Sequence, residues 1–91
     1  MCVMNELQEL RKSIDLIDKE LIGILAKRMR VVSEIGWYKK QHNIQTLDKN
    51  RWQEVVLNIV RAAKKLKLNQ KLVEDIYTLI HKNSLEIEDK K

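Results

Sequence analysis

Residues 6–41 read ELQELRKSIDLIDKELIGILAKRMRVVSEIGWYKKQ. Within this stretch Leu7, Leu10, Ile14, Ile17, Leu21, Ile24, Val31, Ile35 and Tyr38 follow one another at heptad spacing, with Arg28 standing at the single position where the apolar series lapses. Alternating steps of three and four place all of them on one stripe of a helix, a seam sustained for more than four repeats. The chain has no proline and only two glycines, Gly23 and Gly36, so nothing interrupts the pattern before the polar run His42-Asn43-Ile44-Gln45-Thr46. Asn5 is a suitable N-cap, with Gln8 three residues on to complete a capping-box-like start. The spacing predicts one helix from about residue 6 to about 41, roughly 50–55 Å long at 1.5 Å per residue.

Two shorter helices follow. Asp48 or Thr46 caps the second, whose apolar positions are Val55, Val56, Ile59, Val60, Ala63 and Leu66, and which stops near Lys67. Lys64, Lys65 and Lys67 suit the negative end of its dipole. Asn69 caps the third, with Leu72, Val73, Ile76, Leu79, Ile80 and Leu85 on its apolar side. The polar tail from Glu86 to Lys91 is expected to fray. Two short helices cannot cover one of about 50 Å. On a monomer the seam would be an apolar stripe that soluble proteins avoid, and a second copy of the same helix is the simplest cover. The expected fold is therefore all-α: a three-helix protomer with one very long N-terminal helix, a single domain over residues 1–91, in an intertwined antiparallel homodimer. The alternative is a monomeric three-helix bundle with a bent or broken first helix.

Composition agrees with helix. A 91-residue chain without phenylalanine, rich in Leu, Ile, Lys, Glu and Asn, lacks the turn residues and aromatics of a sheet protein. A chain this short buries a limited core and needs strong packing or a partner. The net charge of +5 is spread among interleaved acids, without the basic stripe of a nucleic-acid binder. Cys2 is the only cysteine, and His42 and His81 lie far apart, so neither a disulfide framework nor a metal cluster is expected. Residues 1–5 lack the regions of a signal peptide, and no apolar run reaches membrane-spanning length. A cytoplasmic protein without nucleic-acid or membrane partners is the expectation.

Four basic residues depart from the helical pattern. Arg28 occupies a seam position, where an arginine needs an acid or an anion beside it. Arg11, Lys39 and Arg51 flank apolar faces in the same way; singly, each is also what a snorkelling surface base looks like. Arg28 and Lys39, eleven residues apart, are close to three full turns, about 16 Å along the axis. Two long side chains there suit a small anion. Arg11, about 25 Å from Arg28, cannot reach the same small molecule within one chain. In an antiparallel dimer crossing near Ile22 and Gly23 it would lie beside the partner's Arg28–Lys39 stretch, with Gly23 letting the backbones approach.

The ordered set Leu7-x-x-Leu10-Arg11-x-x-Ile14-Asp15-x-Ile17-Asp18, Leu21-Ile22, Arg28-Met29, Ile35-Gly36, Tyr38-Lys39-Lys40, Asp48-x-x-Arg51 and Ile80-His81 through Ser84 to Glu88 resembles the all-helical chorismate mutases over residues 6–88. The resemblance implies an interlaced dimer with two active sites. It implies the Claisen rearrangement of chorismate to prephenate on the route to phenylalanine and tyrosine, with no cofactor, metal or covalent intermediate. Such a pericyclic reaction needs no nucleophile or base; it needs positioning and charge stabilisation at the breaking ether oxygen.

By the same resemblance, Arg28, and Arg11 from the other subunit, pair with the substrate's two carboxylates, which suits arginine's bidentate fork. Lys39 donates to the ether oxygen and a carboxylate, and Arg51 sets the positive field. Asp48 contacts the ring hydroxyl, with backbone N–H groups nearby, and Ser84 contacts a carboxylate. Ile35, Val55 and His81 line the wall, His81 as a helix residue at the pocket edge rather than an acid or base.

Two positions depart from the family pattern. Glu88 stands where bacterial members often carry glutamine, whose amide donates to the ether oxygen. A carboxylate cannot donate, so Glu88 has to carry a proton in the working enzyme, and activity is expected to rise towards mildly acidic pH. Trp52 stands where a glutamate that binds the ring hydroxyl is common; its indole only donates, so it reads as a packing residue at the pocket mouth. Two rival functions share these features. One is an isochorismate pyruvate lyase of the same fold; the other is a non-catalytic helical dimer that binds an aromatic precursor or a partner. The complete set Arg11, Arg28, Lys39, Asp48, Arg51 and Ser84 favours the mutase.

Overall fold

The computed structural model describes residues 3–90, so Cys2 and the end of the tail at Lys91 lie outside the described residues. Three helices account for the described chain: α1 (Val3–Gln41), α2 (Lys49–Lys65) and α3 (Gln70–Asp89), with no strand among the described residues. The all-α expectation and the uninterrupted first helix hold. At 39 residues α1 is about 58 Å long.

Its start differs from the expectation. The chain is already helical at Val3, so Asn5 sits inside the first turns rather than capping them. Val3 and Met4 are not helix breakers, and Glu6 supplies the acidic charge that favours the positive end of the dipole.

Both helix exits are built alike, without glycine. After α1, Asn43 takes a left-handed conformation (φ 54°). Its N–H donates to Lys40 O at 3.4 Å, and the Ile44 N–H to Lys39 O at 2.8 Å. After α2, Lys67 does the same (φ 59°). Its N–H donates to Lys64 O at 3.2 Å, and the Leu68 N–H to Ala63 O at 2.9 Å. These paired bonds are the Schellman arrangement, which satisfies the last carbonyls and reverses the chain. Asparagine tolerates the left-handed region, whereas a lysine there carries a strain of about 1 kcal/mol. The Lys67 turn explains why α2 stops at Lys65, slightly before the expected end.

The starts of α2 and α3 follow the sequence. The Asp48 side chain accepts from the Arg51 N–H at 3.0 Å, and the Asn69 side chain from the Leu72 N–H at 2.9 Å. Asp48, not Thr46, is the cap of α2. The tail does not fray where expected, because α3 continues through Glu86, Ile87 and Glu88 to Asp89. Leu85, Ile87 and Glu88 are half-buried, and this packing holds the last turn.

The chain divides into two compact units between Val31 and Val32. In the first, α1 leaves Leu10, Ile14, Ile17, Leu21 and Ile24 between 54% and 65% exposed. An added Cβ at Gly23 would meet nothing within 4 Å. In the second, α2 and α3 pack as an antiparallel pair joined by the short turn at residues 66–69. Ala63 and Ser84 are buried, and Val55, Val56, Ile59 and Val60 of α2 are half-buried, as are Val73, Tyr77, Ile80 and Leu85 of α3. Leu66, Leu72, Ile76 and Leu79, expected on apolar sides, are exposed. The inner face of α3 is narrower than its apolar pattern, and Leu72, Ile76 and Leu79 form a second stripe outside it. Among the described residues Val32 and Ala63 alone are buried apolar side chains. No helix among the described residues is long and apolar enough to cross a membrane.

Candidate active site

The last turns of α1, the loop after it and the end of α3 surround an open cleft of about 470 Å³. It is lined by Gly36, Lys39, Lys40, Ile44, Thr46 and Glu88, with Asp89 and Lys90 at its rim. Lys39 is its centre. The ammonium donates to the Thr46 carbonyl at 2.7 Å. It also lies 2.7 Å from Glu88 Oε1, with only 19% and 10% of the two side chains exposed. The approach to Glu88 is close but poorly aligned, so this buried oxygen accepts no hydrogen bond of good geometry. The contact is therefore one of charge more than of direction.

The local sequence explains why Lys39 is held. Its own carbonyl accepts the Ile44 N–H of the Schellman turn, which bends the chain so that Thr46 O faces the lysine's side chain. The same exit carries a ring stack of Tyr38 on His42, with centroids 4.0 Å apart, and His42 Nδ1 lies 2.8 Å from Tyr38 O.

The other expected site residues of this unit are placed as follows. The Ser84 hydroxyl, buried on α3, donates to Ile80 O at 2.8 Å. It has to rotate before it donates to a ligand carboxylate. Asp48 is exposed, and one of its oxygens is engaged in capping α2. Arg51 is exposed and bridges to Glu54 at 2.6 Å; such a surface pair is worth roughly 0–1 kcal/mol, so a ligand anion exchanges for it at little cost. Val55 and His81 are half-buried, whereas Ile35 is exposed. Lys39 and Glu88 are thus brought into contact, while Asp48 and Arg51 meet through the cap of α2. In the first unit, Arg11 is exposed and Arg28 half-buried.

Three features were not legible in the sequence. The Thr46 carbonyl is one, since every residue carries a carbonyl and only the turn decides where it points. Lys40, Lys90 and Asp89 at the cleft are a second, because they look like ordinary surface charges. The third is a stack of Trp52 on His81, with centroids 3.9 Å apart and planes 11° from parallel. Trp52 had signalled itself only as a departure from the family pattern.

Over residues 10–89 the chain matches the family described as chorismate mutase type II. It is 32% identical over 85 residues to a bifunctional chorismate mutase/prephenate dehydratase of Buchnera aphidicola subsp. Baizongia pistaciae (strain Bp), a match covering 93% of this chain and 23% of that protein. It is 36% identical over 78 residues to the T-protein of Haemophilus influenzae, covering 84% of this chain and 20% of that one. A further bifunctional chorismate mutase/prephenate dehydratase, from Aquifex aeolicus, is 36% identical over 63 residues, 69% of this chain and 17% of that protein. The chain spans less than a quarter of the length of these curated relatives.

Proposed function

The chain belongs to the chorismate mutase type II family, and on that premise we propose that it rearranges chorismate to prephenate, as an interlaced homodimer in which each active site takes Arg11 from the partner subunit. The observation that carries this is the placement of Lys39. Its ammonium is fixed by Thr46 O and Glu88 in a cleft open to a small molecule.

In the rearrangement the ether C–O bond breaks as a C–C bond forms, in one cyclic transition state, and negative charge gathers on the ether oxygen. No proton has to leave or arrive. A cation already held in position stabilises that charge without reorganising, which is where electrostatic catalysis gains most. Arg28, with Arg11 of the partner subunit, holds the two carboxylates and selects the folded conformer. Arg51 adds to the positive field, Asp48 and Ser84 take the ring hydroxyl and a carboxylate, and Ile35, Val55 and His81 close the wall. The test is incubation with chorismate, with the expected result that chorismate disappears and prephenate accumulates. Pyruvate release from isochorismate would assign the lyase instead. Tight binding of chorismate without turnover would assign a sensing module.

The exposed stripe Leu10, Ile14, Ile17, Leu21 and Ile24 supports the dimer, because two copies crossing at Gly23 cover it mutually. Leu21→Glu sets two carboxylates close to the proposed crossing point, in an apolar seam where an unpaired charge is costly. Sedimentation equilibrium should then find the monomer mass, and turnover should vanish. A dimer of unchanged affinity would show that the seam is not the interface.

A further inference from the structure

The α2–α3 pair is closed at one end by the turn at residues 66–69 and open at the other. The open end carries Asp48 and Arg51 on α2, and Ser84 and Glu88 on α3. At the closed end the buried Ala63 lets the helices approach, and the turn ties them covalently. Along the middle, half-buried Val55, Val56, Ile59 and Val60 offer apolar contact with little directional preference. A directional contact at the open end is the Trp52–His81 stack, 3.9 Å between centroids and 11° from parallel, with both rings half-buried.

The backbone couples this stack to the residues of the site. The Trp52 N–H donates to Asp48 O at 3.0 Å, and the Arg51 N–H to Asp48 Oδ1 at 3.0 Å. Trp52 therefore cannot shift without carrying Arg51, its neighbour, and Asp48, to which both amides are bound. On the other side, His81 lies one turn before Ser84 and two turns before Glu88.

The geometry points to Trp52 as a positioning residue. Its stack on His81 pins the first turn of α2 to α3, and so sets where Asp48 and Arg51 meet the substrate. Only the substrate's identity rests on the mutase reading; the pinning stands on the ring geometry. A bulky apolar side chain would fill the same space, but only a ring presents a flat face to the imidazole.

Trp52→Phe and Trp52→Leu in the full chain separate the two roles. An aromatic pair's contribution corresponds to roughly a tenfold change in a local opening equilibrium. In Trp52→Leu the Arg51 and Trp52-position amides should exchange hydrogen about tenfold faster, while those of Ile59–Ala63 stay as they were. KM for chorismate should rise by about the same factor, kcat changing less, since ground-state contacts are what has moved. Trp52→Phe should restore both quantities to within about twofold. His81→Leu, which removes the other ring, should reproduce the faster exchange and serves if Trp52→Leu does not fold. Equal behaviour of the Leu and Phe variants would overturn the proposal. So would exchange that rises uniformly along α2 and α3, which is the mark of lost bulk stability alone. If the wild type turns over no chorismate, the mutase reading falls, and the exchange comparison still decides the role of Trp52.

Discussion

Chains carrying Arg11→Ala and chains carrying Arg28→Ala, each inactive alone, are expected to regain about a quarter of wild-type turnover when unfolded and refolded together in equal amounts. The figure follows from the symmetry of the proposed dimer. Random pairing makes half of the dimers mixed, and each mixed dimer has one site with both arginines and one with neither. Each single variant should lose about 10²–10³-fold in kcat/KM, the usual cost of removing one charge-stabilising donor from a preorganised site. The premise is that each site joins Arg28 of its own chain to Arg11 of the partner subunit. If both arginines served a site within one chain, every site in the mixture would lack one of them. The mixture would then be as inactive as its parents. Turnover is measured as chorismate loss after mixing, with the unmixed variants refolded in parallel.

Glu88→Gln is expected to raise turnover by about tenfold. The Glu88 carboxylate sits 2.7 Å from the Lys39 ammonium, and its own side chain is only 10% exposed. That pairing suits two charged groups. Once substrate is bound, the same carboxylate faces an ether oxygen that gains negative charge, and an ionised Glu88 opposes it. The sign follows: a charged carboxylate at this position opposes the charge that builds on the ether oxygen, whereas a neutral amide donates to it, so the variant should be the faster enzyme. Glutamine donates through its amide, and its carbonyl still accepts from Lys39, so the variant should keep the cleft. A Glu88→Gln enzyme no faster than wild type, measured as the rate of chorismate loss, would remove this role.

The candidate residues stood out in the sequence because they violate a pattern. Arg28 interrupts a seam, Asp48 and Asn69 stand where helices begin, and Glu88 and Trp52 depart from a known family order. These signals lie in residue type and spacing, which a sequence carries in full. What a departure does is another matter. Trp52 looked like filler at a pocket mouth until the structure put His81 flat against it. Glu88 read as a departure that has to carry a proton, and the structure sets its carboxylate 2.7 Å from Lys39.

The unbroken run of α1, the cap at Asn69 and the apolar stripe were determined by the sequence alone, because they depend on neighbours three and four residues away and on the absence of proline; the choice of Asp48 over Thr46 as the cap of α2 was not. The reach of α3 to Asp89 was not. Local propensity favours fraying in a polar tail, and packing of Leu85, Ile87 and Glu88 overrides it. Nor was the aim of the Thr46 carbonyl at Lys39, which exists only because Asn43 turns left-handed and folds the chain back. The long first helix is a property of its own residues. The held lysine at its end is a property of the contacts that α1, the loop and α3 make together, and no local rule encodes a contact between residues 39 and 88.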